Sequence, residues 1–241
     1  MSNFPGPFGA RGVQGIDYEA QVDSSVLVRF FNQVYAWMAS GLALTAVVAW
    51  YISTRQDLTS RLTPGVVIFL FLIELGLVIA ISSAINKISA PVATLLFMLY
   101  AAINGIVLSA IFLVYAHASI VSTFVVTAGM FAVMSIYGMV TRTDLTRLGA
   151  ILFMALIGLI IASVVNMFMG SSMMQWIISI AGVVIFAGLT AYDTQKLKAI
   201  AMATQNNAAM ASRLAISGAL ALYLDFLNLF LMMLRLMGDR R

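Results

Sequence analysis

Seven apolar stretches, each long enough to cross a lipid bilayer as a helix, constrain the fold of this chain more than any other feature. A transmembrane helix needs about 20 mostly apolar residues. The stretches cover residues 34–53, 66–85, 92–115, 119–140, 148–169, 174–195 and 214–236. Their apolar residues are continuous rather than alternating, which excludes a transmembrane β-barrel. The sequence therefore predicts an all-α membrane protein, a bundle of seven transmembrane helices.

The composition excludes several classes of function. The chain is 62% hydrophobic and only 9% charged, whereas a soluble domain carries about 25% charged residues. It has no cysteine and a single histidine, His117, which excludes disulfides, thiol chemistry and a Cys- or His-based metal cluster within one chain. No run of basic residues exceeds two. We therefore expect the lipid bilayer, and no nucleic acid, as a partner, and we expect no cofactor.

The charges also predict domain organisation and orientation. Residues 1–28 contain glycine, proline and mixed charges without an apolar core, so we expect a disordered cytoplasmic tail rather than a signal peptide. Residues 29–241 are expected to form one transmembrane domain. The side of the N-terminus is expected to hold eight of the basic residues, Arg11, Arg29, Lys87, Arg142, Arg147, Lys196, Lys198 and Arg213. The opposite side holds five, Arg55, Arg61, Arg235, Arg240 and Arg241. The positive-inside rule then places the N-terminus in the cytoplasm, in a multi-pass protein of the bacterial inner membrane.

Three acidic residues, Glu74, Asp193 and Asp225, lie within the apolar stretches. A charged side chain in the bilayer centre costs at least about 2.5 kcal/mol, so such residues face protein or water and are functional candidates. The bland alternative is a protonated acid that only hydrogen-bonds its neighbours. The residues of the last stretch that share a helix face with Asp225 are mostly small or polar, and they are Gly218, Ala221, Asn228 and Met232. The last helix is therefore expected to be central in the bundle.

Asp193 and Asp225 are predicted to meet. The sixth helix can continue to about Ala203, and Gln205-Asn206-Asn207 is a turn signal. In an antiparallel hairpin that turns near residue 207, the two aspartates differ in level by only about 6 Å at about 1.5 Å per residue. The pair would open toward the cytoplasmic side.

A pair of buried carboxylates has a specific chemistry. Two close carboxyl groups titrate as one unit, and their oxygens are hard ligands that suit Ca²⁺. A proton and a cation would compete for the same oxygens. Asp193 and Asp225 are therefore predicted to form a pH-sensing, cation-gating pair that binds Ca²⁺ transiently, with no catalytic residue. Further polar residues could support it, namely Glu74, Asn228, Lys196, Asn104 and Asn166.

The chain resembles the Bax-inhibitor family (transmembrane Bax inhibitor motif proteins) in a bacterial form. The similarity is carried by GLTAYDTQKLK at 188–198, LALYLDFLNLFLMMLR at 220–235, FMLYAAINGIVLSAIFLVY at 97–115 and STFVVTAGMF at 122–131. The resemblance implies a seventh helix enclosed by the other six, and a proton-sensitive Ca²⁺ leak in which Asp193 and Asp225 are the aspartate pair. It also implies an arginine near the end of the second helix. Residues 81–88 contain no arginine, and Lys87 is their only basic residue. Lys196, one turn after Asp193, is therefore the alternative basic residue that could contact the aspartate pair.

Of four other functions, the sequence disfavours the first two and leaves the last two open. An intramembrane aspartyl protease would need a GxGD motif, but Asp225 follows Leu222, Tyr223 and Leu224. A retinal pigment would need a lysine in the centre of a span. A non-transporting membrane regulator, acting through other membrane proteins in stress survival or protease modulation, is the main alternative. A proton-coupled transporter is the next, and no enzyme activity is expected.

Overall fold

The computed structural model describes residues 24–240 and consists of helices. They are α1 (Ser24–Ser53), α2 (Gln56–Thr59), α3 (Pro64–Ala84), α4 (Ala90–Val114), α5 (His117–Val140), α6 (Thr146–Met169), α7 (Ser172–Ala203) and α8 (Ala208–Met237). Seven of them, all except α2, are long and apolar enough to cross a membrane. No β-strand occurs among the described residues, where the only pairing of that kind is an isolated bridge between Tyr115 and Arg240. The predicted all-α bundle is confirmed.

Local sequence signals explain where the helices begin and end. Proline lies in the first turn of α3 and of α4, where its missing N–H leaves no hydrogen bond unmade. Gly170 ends α6 with a φ of 64°, a left-handed conformation that glycine adopts without strain. The side chains of Ser171 and Asn207 accept hydrogen bonds from backbone amides in the first turns of α7 and α8. These two caps stabilise the beginning of α7 and the beginning of α8.

The helix bounds differ from the predicted spans at two places. The first helix begins at Ser24 rather than at residue 34, so residues 24–28 of the predicted tail are helical, while residues 1–23 lie outside the described residues. As predicted, α7 continues to Ala203 and the turn at 204–207 follows it. The helix α7 has 32 residues. At about 1.5 Å per residue, its length exceeds the thickness of the hydrocarbon layer of a bilayer, which is about 30 Å. The hairpin of α7 and α8 therefore projects beyond the apolar layer.

The last helix is the most buried of the seven spans, as predicted. It packs extensively on α7, α1, α5 and α4, whereas α3 rests mainly on α4 and α6 mainly on α7. The helices α3, α5 and α6 expose many large apolar side chains, which is expected of surfaces that face lipid. Close helix contact needs small residues at some positions: a Cβ atom on Gly105 of α4 would lie 2.7 Å from the carbonyl oxygen of Thr45 in α1.

Candidate functional site: a carboxyl pair between the last two helices

Asp225 lies in the second half of α8, in the core of the bundle. Its residue surface is only 6% exposed. Its Oδ2 atom has no hydrogen-bond partner among the described residues. Because α8 is surrounded by protein on most sides, a carboxyl group at this depth is shielded from lipid. The arrangement leaves one acceptor oxygen available in a place where an unsatisfied polar atom is costly.

The structure brings the side chain of Asp193 close enough to that of Asp225 for the two carboxyl groups to interact. Asp193 lies on α7 and is partly exposed, whereas Asp225 is buried. Two carboxyl groups can form a hydrogen bond only if one of them carries a proton, because a carboxylate has no donor. The two aspartates therefore approach each other, as the hairpin geometry predicts. The pH-sensing and Ca²⁺-gating roles of these residues stay predictions.

The small residue beside the pair permits this contact. Gly218 of α8 packs directly against the side chain of Leu197 in α7, so closely that an added Cβ atom would collide with it. Large side chains here would push the two helices apart and separate the carboxyl groups. The glycine of the predicted small face therefore has a structural role, which is close helix approach.

A cavity of about 70 Å³ extends from Asp193 toward the α7–α8 turn. Its lining includes Lys196, Ile200, Leu214 and Ser217. Along α7 and α8 these residues lie between the aspartates and the turn, on the side of the membrane where α1 begins. Asp193 consequently has an approach from that side.

Lys196 is the basic residue nearest to the pair in the chain direction. It interacts electrostatically with Asp193, but it is exposed and forms no ion pair with it. Among residues 24–240 the only ion pair joins Arg55 to Asp57. No salt bridge therefore holds the carboxyl pair in the described part of the chain.

The other predicted polar residues do not contact the pair. Glu74, Asn104 and Asn228 all line one cavity, which opens between α3 and α6. Asn228 also donates from Nδ2 to the carbonyl oxygen of Leu224 at 2.8 Å. Asn166 lies at the end of α6, where its Oδ1 accepts a hydrogen bond from the Ser171 amide at 3.1 Å. These residues form separate features rather than a shell around the aspartates.

A chain of hydroxyl groups next to Asp193 has no signal in the sequence. Thr194 donates to the carbonyl oxygen of Thr190 at 2.8 Å, so it accepts from Ser135 at 3.0 Å. Ser135 in turn accepts from the Tyr35 hydroxyl at 2.5 Å. The chain joins α1, α5 and α7 and fixes the rotation of α7 about its axis. It thereby positions Asp193 toward α8.

Arg213 is a second residue that the sequence does not single out. Its Nη1 atom donates to the carbonyl oxygens of Asn86 at 2.9 Å and Ile88 at 3.4 Å. The arginine thus ties the α3–α4 loop to the beginning of α8. It lies on the same side of the membrane as the cavity below Asp193, although its partners are backbone oxygens and not the pair.

The carboxyl pair alone supplies too few ligands for a resident metal, and transient binding of Ca²⁺ by the pair stays a prediction. No group of three or more His, Cys, Asp or Glu side chains occurs within the described residues. Ca²⁺ takes six to eight oxygen ligands in a stable protein site, and the pair supplies two carboxyl groups. A cation at the pair would keep most of its water ligands and would leave readily.

Sequence comparisons identify relatives along nearly the whole chain. Residues 27–241 match the family model described as inhibitor of apoptosis-promoting Bax1. The inner membrane protein YbhL of Escherichia coli (strain K12) is 52% identical over 220 residues, 89% of this chain and 93% of that protein. An uncharacterized protein of Borreliella burgdorferi is 48% identical over 215 residues, 88% of this chain and 93% of its own. An uncharacterized membrane protein of Streptococcus pyogenes serotype M1 is 39% identical over 216 residues, again 88% and 93%.

These matches and the seven apolar helices confirm the predicted location, a multi-pass protein of the bacterial inner membrane. They also confirm the resemblance that rests on the two aspartate-bearing segments, since both lie within the matched residues. The chain belongs to the Bax inhibitor family.

Proposed function

We propose that this protein is a pH-sensitive Ca²⁺ leak channel gated by Asp193 and Asp225. The observation that carries the proposal is the close approach of the Asp193 carboxyl group to the buried Asp225 carboxyl group inside the bundle. The chain's membership of the Bax inhibitor family supports the same assignment, because the resemblance implies a proton-sensitive Ca²⁺ leak. The proposal describes a channel and not an enzyme, with protons and Ca²⁺ as its ligands.

The gate follows from the charge that the pair carries. With one shared proton, the carboxyl groups attract each other and α7 stays against α8. When that proton leaves, two negative charges face each other at about 4 Å and repel by about 4 kcal/mol at an effective dielectric constant of about 20. Separation of the helices relieves the repulsion, and a hydrated Ca²⁺ ion between the carboxylates offsets it as well.

The direction of the pH response follows from the absence of a salt bridge to the pair in residues 24–240. Because a proton rather than a basic side chain links the carboxyl groups, its loss opens the gate. Ca²⁺ flux is therefore expected to rise from pH 6 to pH 8. With the N-terminus in the cytoplasm, as the basic residues predict, the cavity below Asp193 is the cytoplasmic mouth.

The test is Ca²⁺ flux into liposomes that contain the purified full-length protein, at pH 6, 7 and 8. The double substitution Asp193→Asn, Asp225→Asn should abolish the pH response. Glu74→Gln is the matched control, because it neutralises another buried acid that does not touch the pair, and it should keep the response. A flux that falls as the pH rises contradicts the proton link and favours Lys196 as a latch. No flux at any pH contradicts the channel and favours the regulator that acts through protein partners.

A further inference from the structure

A lateral cavity of about 590 Å³ is lined by residues of α3, α4, α6, α7 and α8, and neither Asp193 nor Asp225 lines it. It is bordered by α3 and α4 on one flank and by α6 and α7 on the other, with α8 as its floor. Because α3 and α6 do not pack substantially on each other, the cavity is open between them. Phe71, Leu75, Ile160 and Val164 line this opening and are exposed. The mouth therefore faces the hydrocarbon of the bilayer rather than either aqueous side.

Two hydrogen-bond acceptors at this cavity have no partner. The residue surface of Glu74 is only 6% exposed, and its Oε1 atom is unsatisfied within the described residues. The Oδ1 atom of Asn104 is likewise buried and unsatisfied there. The amide nitrogen of Asn104 donates to the Tyr100 hydroxyl at 3.2 Å, so its oxygen is the free end. Buried polar atoms almost always have partners, and two free acceptors at one cavity indicate a ligand that supplies donors.

The other side chains that line the cavity indicate the chemistry of the rest of the ligand. Apart from Glu74, Tyr100, Asn104, Ser163 and Asn228, the side chains that line the cavity are apolar. Its volume falls in the range of small-molecule sites, which combine an apolar lining with a few polar groups. A ligand with a hydrocarbon body and one polar head is complementary to such a space.

Among head groups that can donate hydrogen bonds, the carboxylate of Glu74 favours one that is positively charged. Glu74 is the one acidic residue at this cavity, and no cluster of three metal-ligating side chains occurs in residues 24–240. A single carboxylate with one amide oxygen is a poor Ca²⁺ site, which needs several more oxygens. An ammonium group has three donors and one positive charge, so it satisfies both free acceptors and neutralises the acid.

We propose that the cavity between α3 and α6 binds a lipophilic amine that enters from the bilayer. Its ammonium group lies on the Glu74 carboxylate and the Asn104 side-chain oxygen, and its hydrocarbon chain lies among the leucine and isoleucine side chains of α6 and α8. This site is separate from the carboxyl pair, since Asp225 does not line the cavity.

The test uses the full-length protein in lipid nanodiscs and decylamine that carries a photoreactive diazirine at the end of its chain. After irradiation, mass spectrometry locates the labelled peptides. We expect label on α6 and α8 residues that line the cavity, with displacement by excess decylamine but not by decanol, which has the same chain and no charge. Glu74→Gln should reduce the labelling about tenfold or more, as loss of a buried charge pair predicts.

Two further variants keep the test decisive. Ile160→Trp places a large ring at the lipid-facing mouth, where Ile160 is exposed, and should abolish labelling. Asp225→Asn neutralises an equally buried acid outside the cavity and should leave labelling unchanged. Equal displacement by decanol and decylamine overturns the proposal, since the cavity then accepts any apolar chain. Unchanged labelling in Glu74→Gln or in Ile160→Trp overturns it too.

Discussion

The substitution Asp225→Asn tests the charge argument at the level of helix movement, without any ion. It removes one of the two charges that repel at high pH, and the new amide can donate a hydrogen bond to Asp193 without a shared proton. Repulsion of about 4 kcal/mol at about 4 Å corresponds to roughly three powers of ten in the equilibrium between closed and open forms. Wild-type protein should therefore change its helix separation between pH 6 and pH 8, and the variant should stay closed.

The absence of cysteine from the sequence makes the distance measurement direct. Spin labels can be attached to cysteines introduced at Ala199 on α7 and at Ser89 in the α3–α4 loop, both of which are exposed. Because Arg213 ties that loop to α8, the label at Ser89 follows α8. Electron–electron double resonance then reports the separation of α7 from α8 in nanodiscs.

The control and the refuting result are both defined by the structure. Glu74→Gln in the same doubly labelled background should retain the wild-type response, because Glu74 lies away from the pair. If Asp225→Asn shows the same pH-dependent change as wild type, charge on this pair does not drive the separation. If the separation of α7 from α8 in the wild type does not change between pH 6 and pH 8, the reasoning is refuted as well.

Three further substitutions test the packing and the loops. Tyr223→Phe removes the hydroxyl that donates to Thr45 Oγ1 at 2.6 Å and should lower the free energy of unfolding in mixed micelles by about 1 kcal/mol; an unchanged value contradicts the bond's contribution. Gly105→Leu should cost about 1–3 kcal/mol by overpacking, whereas Gly158→Leu, with no atom within 4 Å, should not, and equal losses would contradict the packing argument. The hydrogen bonds at the start of α6 hold the pKa of Asp144 below its ordinary value of 3.8, so its stabilisation is present above that value and is lost as the pH falls below it. Asp144→Asn should lack this acid-dependent part of thermal stability, and an unchanged acid dependence would contradict it.

Local signals were sufficient for the helices and for the meeting of the aspartates. Continuous apolar stretches bounded by proline, glycine and asparagine fix seven spans, and the turn before Ala208 sets the register of α7 against α8. Register alone then predicts that Asp193 and Asp225 are at similar depths. A one-sided small face correctly predicts that α8 is central, because helix periodicity is preserved in the fold.

The contacts between distant helices could not be predicted in the same way. The bonds of Tyr35 to Ser135 and of Arg213 to the α3–α4 loop join residues 100 and about 125 positions apart, and no sequence pattern encodes such a pair. The grouping of Glu74, Asn104 and Asn228 at one cavity depends on how α3 and α6 are spaced around α8. Helical periodicity places Asn228 near the face of Asp225, but the tilt of the neighbouring helices decides which cavity it reaches.

The position of α8 at the centre has a consequence for the synthesis of this protein. Chains leave the ribosome from the N-terminus at about 5–20 residues per second, so the most buried helix is also the last of the described helices to enter the membrane. Until it arrives, the surfaces of α1, α4, α5 and α7 that pack on it have lipid or one another as neighbours. The final bundle is therefore completed after translation of the core helix, and a ribosome stalled before residue 208 holds an assembly without its centre.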